Sequence, residues 1–259
     1  FTFTGGTTTL SALTWSEVGR IDLTATLASG SYLGTGLTAT GNTGTAGTLC
    51  NGNGNVGAFI PHHFDTQVIA QGCGTFTYSG QPFTLKVTAR NGLSSPTTTV
   101  NYDGSAATTP NFARAITLSD TSGASGALSP STAPASSFVA GVATLSTPAW
   151  TFATPLTKPA TIVLRAVDAD GTSSSGYESA ASAPIRSGRL ALSNAFGSEK
   201  SPLTMNLQTQ FWNGAWVTNA SDSCTVVPVS APVGLTERPI KGNWLPALQT
   251  AVLGAGVTE

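Results

Sequence analysis

The sequence predicts an all-β chain folded as tandem β-sandwich modules, on three observations. Several segments alternate apolar and polar residues at period two, Gly-containing turn signals separate them, and no stretch keeps a helical period. Composition agrees: of 259 residues only 9% are charged, while Gly numbers 29 and Pro 15. Ser and Thr occupy the solvent-facing positions that charge normally fills, and β-branched Thr suits a pleated, half-exposed surface. Straight-chain helix formers are scarce, with a single Met. The apolar share of 40% supplies a packed core.

The strands follow in chain order. Ile21, Leu23, Ala25 and Leu27 alternate with Asp22, Thr24 and Thr26. Phe83, Leu85, Val87 and Ala89 alternate with Thr84, Lys86 and Thr88. Ile116 with Leu118, and Leu190 with Leu192, give shorter versions, and Leu203, Met205 and Leu207 alternate with Thr204, Asn206 and Gln208. Each pattern turns one face toward a core and the other toward water. Asn91-Gly92, Asp103-Gly104, Asp170-Gly171 and Asn213-Gly214 mark turns. The stretch from Ser119 to Ser137 holds too few apolar residues for a core element and reads as a surface loop.

Internal similarity suggests how these strands group. FTYSGQPFTLKVTA (76–89) matches FGSEKSPLTMNLQT (196–209), aligning Phe76 with Phe196 and Pro82 with Pro202. VGRIDLTA (18–25) echoes PATIVLRA (159–166). The expected organisation is a closing half-module at 1–58, a complete sandwich at 59–182, and an opening half-module at 183–259. A half-sandwich exposes a sheet edge, so both ends are expected to find partners.

Net charge is −1 without a basic stripe, which argues against nucleic acid as a partner. No apolar run reaches the ~20 residues that span a bilayer. Cys50, Cys73 and Cys224 form no CxxC pair, which argues against a zinc ribbon. Cys50 and Cys73 flank a strand-like stretch, each among glycines, so Cys50–Cys73 is the favoured disulfide, with Cys73–Cys224 its main competitor.

Two resemblances refine the fold class. The run QPFTLKVTARNG, TTTVNYDG, RAITLSD, FVAGVATLSTPAWTF and TIVLRAVDADG resembles the immunoglobulin-like modules of bacterial adhesins and surface proteins. The expected architecture is therefore tandem immunoglobulin-like β-sandwich modules. The segments WSEVGRIDLTATLASGSYLG, VGAFIPHHFD, FTYSGQPF, NYDG, RSGRLALSNAFGSE and FWNGAWVTNASDSCT, in that order across residues 15–225, resemble the C-terminal region of the MshQ family. That family accompanies the mannose-sensitive haemagglutinin type IV pilus. The resemblance implies an exported envelope protein on the outer surface of a bacterium, with other protein modules or pilus subunits as partners.

Candidate chemistry is sparse. Pro61-His62-His63-Phe64-Asp65 carries both histidines of the chain. On a strand His63 and Asp65 share a face and offer a metal or acid–base pair, although no third ligand follows at diagnostic spacing. Packing of one histidine and solvation of the other explains the same residues. Asp168 and Asp170 open like a calcium loop, but Ser179 stands where an EF-hand needs its acidic twelfth ligand, and an Asp-Gly turn suffices. No nucleophile elbow, triad or phosphate loop is present. Trp212 and Trp216 flank Asn213-Gly214, either as a glycan-stacking platform or as a cross-strand pair. The expectation is a non-enzymatic structural or interaction module without cofactor, the alternative a carbohydrate-binding adhesin module using these tryptophans or a calcium loop.

Overall fold

A computed structural model describes residues 4–11, 13–27, 34–36, 40–43, 56–105, 111–178, 180–198, 206–229, 249–252 and 257–258. The protein is all-β: among the described residues the one helical element is a short 3-10 turn at Ala135–Ser137.

Near the N-terminus β1 (Gly19–Ile21), β2 (Thr24–Thr26), β3 (Thr40–Asn42) and β4 (Val56–Phe59) make two small antiparallel pairs, β1 with β4 and β2 with β3. The centre contains β5 (His63–Ala70), β6 (Thr77–Tyr78), β7 (Thr84–Arg90), β8 (Ile116–Asp120), β9 (Gly126–Ser129), β10 (Thr132–Ala133), β11 (Phe138–Val139), β12 (Val142–Leu145), β13 (Ala149–Phe152), β14 (Ala160–Asp168) and β15 (Ser182–Arg186). They form a five-stranded sheet in the order β10-β8-β14-β15-β6 and a four-stranded sheet in the order β11-β12-β7-β5, with β9 and β13 paired beside them.

The two sheets close over one core. On β7 Leu85, Val87 and Ala89 are fully buried, and on β14 Ile162, Leu164 and Ala166 are too. All six belong to one apolar cluster with Ile116, Leu118 and Ile185. Burying an aliphatic side chain of this size contributes about 1.5–3 kcal/mol, and period-two alternation places each of them inward. Phe64, Tyr102 and Phe138 add an aromatic knot, with ring centroids 4.9 to 6.0 Å apart. The result is a β-sandwich.

Strand β5 would be a bare edge, but the chain returns along it. The amides of Phe64, Thr66 and Val68 donate to the carbonyls of Ser173, Tyr177 and Ala180 at 3.1, 3.4 and 2.9 Å. Covering an edge this way removes a template for aggregation.

Beyond the sandwich β16 (Gly188–Leu192), β17 (Leu207–Trp212) and β18 (Trp216–Thr218) form an antiparallel sheet. Further on, β19 (Val226–Val229) pairs with β20 (Gln249–Val252), and β21 (Val257–Thr258) joins β17.

Two expectations needed revision. The Ile21–Leu27 alternation breaks into β1 and β2, and Leu23 between them remains 38% exposed, because among the described residues each strand pairs with a single short partner. The Ser119–Ser137 loop carries β9 and β10; their backbones pair with β13 and β8, and Ala133 is buried, so ladder hydrogen bonds outweigh the weak apolar pattern. The matched phenylalanines occupy opposite environments, Phe76 buried and Phe196 95% exposed. Pro202, Leu203 and Met205 lie outside the described residues.

Candidate functional site

A dense polar cluster lies where β6, β15 and the chain after β18 converge. Cys73 is tied into the turn before β6 by paired backbone hydrogen bonds with Phe76. It forms a disulfide with Cys224, the Cα atoms 5.3 Å apart. This corrects the Cys50–Cys73 pairing: sheet packing brings the C-terminal segment against β6, so spatial neighbourhood outweighs closeness in sequence. Cys50 itself lies outside the described residues.

Asp222 is fully buried beneath this bridge. Its carboxylate accepts the hydroxyls of Tyr78 at 2.7 Å and Thr225 at 2.6 Å, and the amides of Cys224 and Thr225 at 3.0 Å each. One of its oxygens also touches both sulfurs at 3.5 Å. Asn219 donates to the Tyr78 hydroxyl at 2.6 Å, and Arg186 of β15 donates to Asn219 at 2.6 Å. The Arg186 guanidinium lies over the rings of Phe76 and Phe211 at 4.3 and 4.8 Å, clamping β17 to the sandwich by cation–π contact.

Burial, then the bond to Asp222, pushes the Tyr78 phenol up to about 12. Burial works against ionisation of Asp222, but the donors Thr225, Tyr78 and the backbone amides outweigh it and hold its carboxyl below the usual range. Cys73, Asp222 and Cys224 present donor atoms within 4.8 Å of one another. With both sulfurs bonded to each other no thiolate remains for a metal, and the arrangement is a structural junction. Beside it a shallow pocket of about 230 Å³ is lined by Tyr78, Arg189, Leu190 and Thr209.

Sequence reasoning assigned no site role to Asp222, Asn219 or Arg186. Asp222 alone left a local signal, because an Asp two residues before a Cys invites a side-chain turn onto the following amides. The other two are defined by contacts across 33 or more residues.

The residues singled out earlier have other surroundings. Asp168 is buried; its carboxylate accepts the Tyr102 hydroxyl at 2.8 Å and the amides of Asp170 and Thr172 at 3.0 and 2.8 Å. Asp170 pairs with Arg114 at 2.9 Å. The two carboxylates therefore stabilise a turn and an ion pair. Trp212 and Trp216 face each other across the hairpin, edge to face at 5.4 Å, and Arg189 covers Trp216 at 4.1 Å. His63 and Asp65 do share a face, Nε2 to Oδ1 at 3.4 Å, while Arg90 donates to Asp65 at 2.6 Å. His63 is buried under Tyr177, the rings stacked 3.6 Å apart. Burial first, then His62 and Arg90, holds His63 below its ordinary pKa despite the attraction of Asp65.

Fold and junction together define a disulfide-stapled, all-β sandwich protein. A family model described as DUF6701, third domain, matches residues 17–230, and the chain belongs to that family. Comparison with curated proteins and with solved structures finds no match. No helix among the described residues is long and apolar enough to cross a membrane.

Proposed function

We propose that the chain is a non-enzymatic structural module of a bacterial cell-surface protein associated with type IV pilus machinery, made of immunoglobulin-like sandwiches and acting as a rigid spacer or docking element in an oxidising compartment. The observation that carries this reading is the bridge across 151 residues between Cys73 and Cys224. It encloses β6 to β18, so tension applied at the two ends of the chain passes through the sulfur–sulfur bond and bypasses most of the sandwich. The junction of Asp222, Tyr78, Asn219 and Arg186 holds the C-terminal sheet in the same place by hydrogen bonds. Thr-rich faces with few charges, together with the MshQ-like motif order, support an envelope setting, where disulfides persist.

Single-molecule stretching from the termini tests the mechanical part. The oxidised protein is expected to release roughly 500 Å less contour length than the reduced protein, 151 residues at about 3.4 Å each. Equal extension in both states would remove the basis for a covalently locked spacer.

A further inference from the structure

His62 and His63 bring their Nδ1 atoms to 3.0 Å. The ring centroids are 5.2 Å apart, and the N···N distance plus the two ring radii accounts for that separation, so the lone-pair directions meet head-on. Neighbouring strand residues ordinarily point to opposite faces. Here His62 precedes β5, held by its amide donating to the Arg90 carbonyl at 2.8 Å. The Nε2 atom of His63 faces Asp65, which Arg90 anchors, so the proton of His63 belongs on Nε2 and its Nδ1 is a bare acceptor. A carboxylate behind a histidine is also the arrangement that orients metal-ligating imidazoles. The His62 ring lies against Gly92, where an added Cβ would come within 3.0 Å of it, and its outer side is exposed.

We propose that this pair is a two-coordinate site for a monovalent d10 cation, copper(I) or its redox-inert analogue silver(I). Such ions take two imidazole nitrogens in a line, replacing the shared Nδ1 proton; that proton moves to Nε2, the other nitrogen of the exposed His62 ring, and no electron is transferred. Two bonds of about 2.0 Å in a line require roughly 4 Å between the nitrogens, so the exposed His62 ring swings outward by about 1 Å. Zinc(II) and copper(II) complete their tetrahedral or square-planar shells with further ligands, which two nitrogens alone do not supply, so this pair fits them poorly.

The assay is silver(I) uptake by untagged, oxidised protein, followed by calorimetry and by X-ray absorption at the silver edge. Both arms carry Cys50→Ser, because with Cys73 and Cys224 joined the third cysteine is a competing soft ligand. The expected result is one silver per chain bound by two nitrogens, lost in His62→Ala, an exposed position whose replacement leaves the core intact. Asp65→Ala is expected to weaken uptake about 10–100-fold by freeing the His63 ring. Uptake unchanged by His62→Ala, or no saturable uptake at all, overturns the proposal.

Discussion

Asp222 has no exposed surface, yet its carboxylate is ionised, because four donors converge on it. Hydrogen bonds to a charged group contribute about 1.5–3 kcal/mol, and leaving a buried donor without its acceptor costs a similar amount. Asp222→Asn retains the shape and removes the charge, so it is expected to lower unfolding free energy by about 1.5–3 kcal/mol at neutral pH, read from urea denaturation. The sign of the pH dependence follows from its depressed pKa. The stabilisation is fully present above the unfolded carboxylate value of about 4 and is lost as pH falls through the folded value. The gap between the two proteins should therefore narrow in acid; a gap that is constant with pH would mean the carboxylate is not the stabilising form. At this scale the sequence was only half legible. His63 beside Asp65 followed from strand alternation, whereas Asn219 and Arg186, and the contact of Asp222 with Tyr78, owe their positions to chain segments far apart, which no local pattern encodes.

The strands were far more readable than the side-chain clusters. β7, β8 and β14 bury their alternating residues as period two requires, since each lies within a sheet facing a second sheet. The pattern misled on β16, where no second sheet among the described residues faces the strand: Leu190 and Leu192 alternate on it but remain 48% and 62% exposed. β9 and β10 escaped notice because edge strands are held chiefly by backbone pairing. The β17–β18 hairpin combines both kinds of signal, with Gly214 at φ 88° closing the turn and Trp212 opposite Trp216. An edge-to-face aromatic pair contributes about 0.5–1.5 kcal/mol beyond its buried area. A double-mutant cycle with Trp212→Ala and Trp216→Ala is expected to show coupling of about that size in thermal or urea unfolding. Coupling near zero, together with reproducible glycan binding lost in either variant, would instead mark the pair as a sugar platform.

Across the whole molecule the balance of forces is set by composition. With 9% of residues charged, cohesion rests on the sandwich core, the ladders and the bridge, while the ion pairs at Arg90, Arg114 and Arg165 lie at least partly in solvent, where each contributes little. The bridge acts mainly on the unfolded chain: closing so long a loop removes conformations only the unfolded state has. In the chain-entropy account a separation of 151 residues corresponds to about 5 kcal/mol, with strain and residual unfolded structure reducing it. Replacing Cys73 and Cys224 together by Ala leaves no unpaired thiol at the junction and preserves the Asp222 network, so the loss measured is that of the crosslink. The double variant is expected to remain folded by far-ultraviolet circular dichroism and to lose unfolding free energy approaching that figure, read as a markedly lower urea midpoint. The urea slope should rise as well, because an uncrosslinked chain exposes more surface on unfolding. A midpoint within error of the parent would mean that the core alone sets the stability and the bridge serves only to carry load.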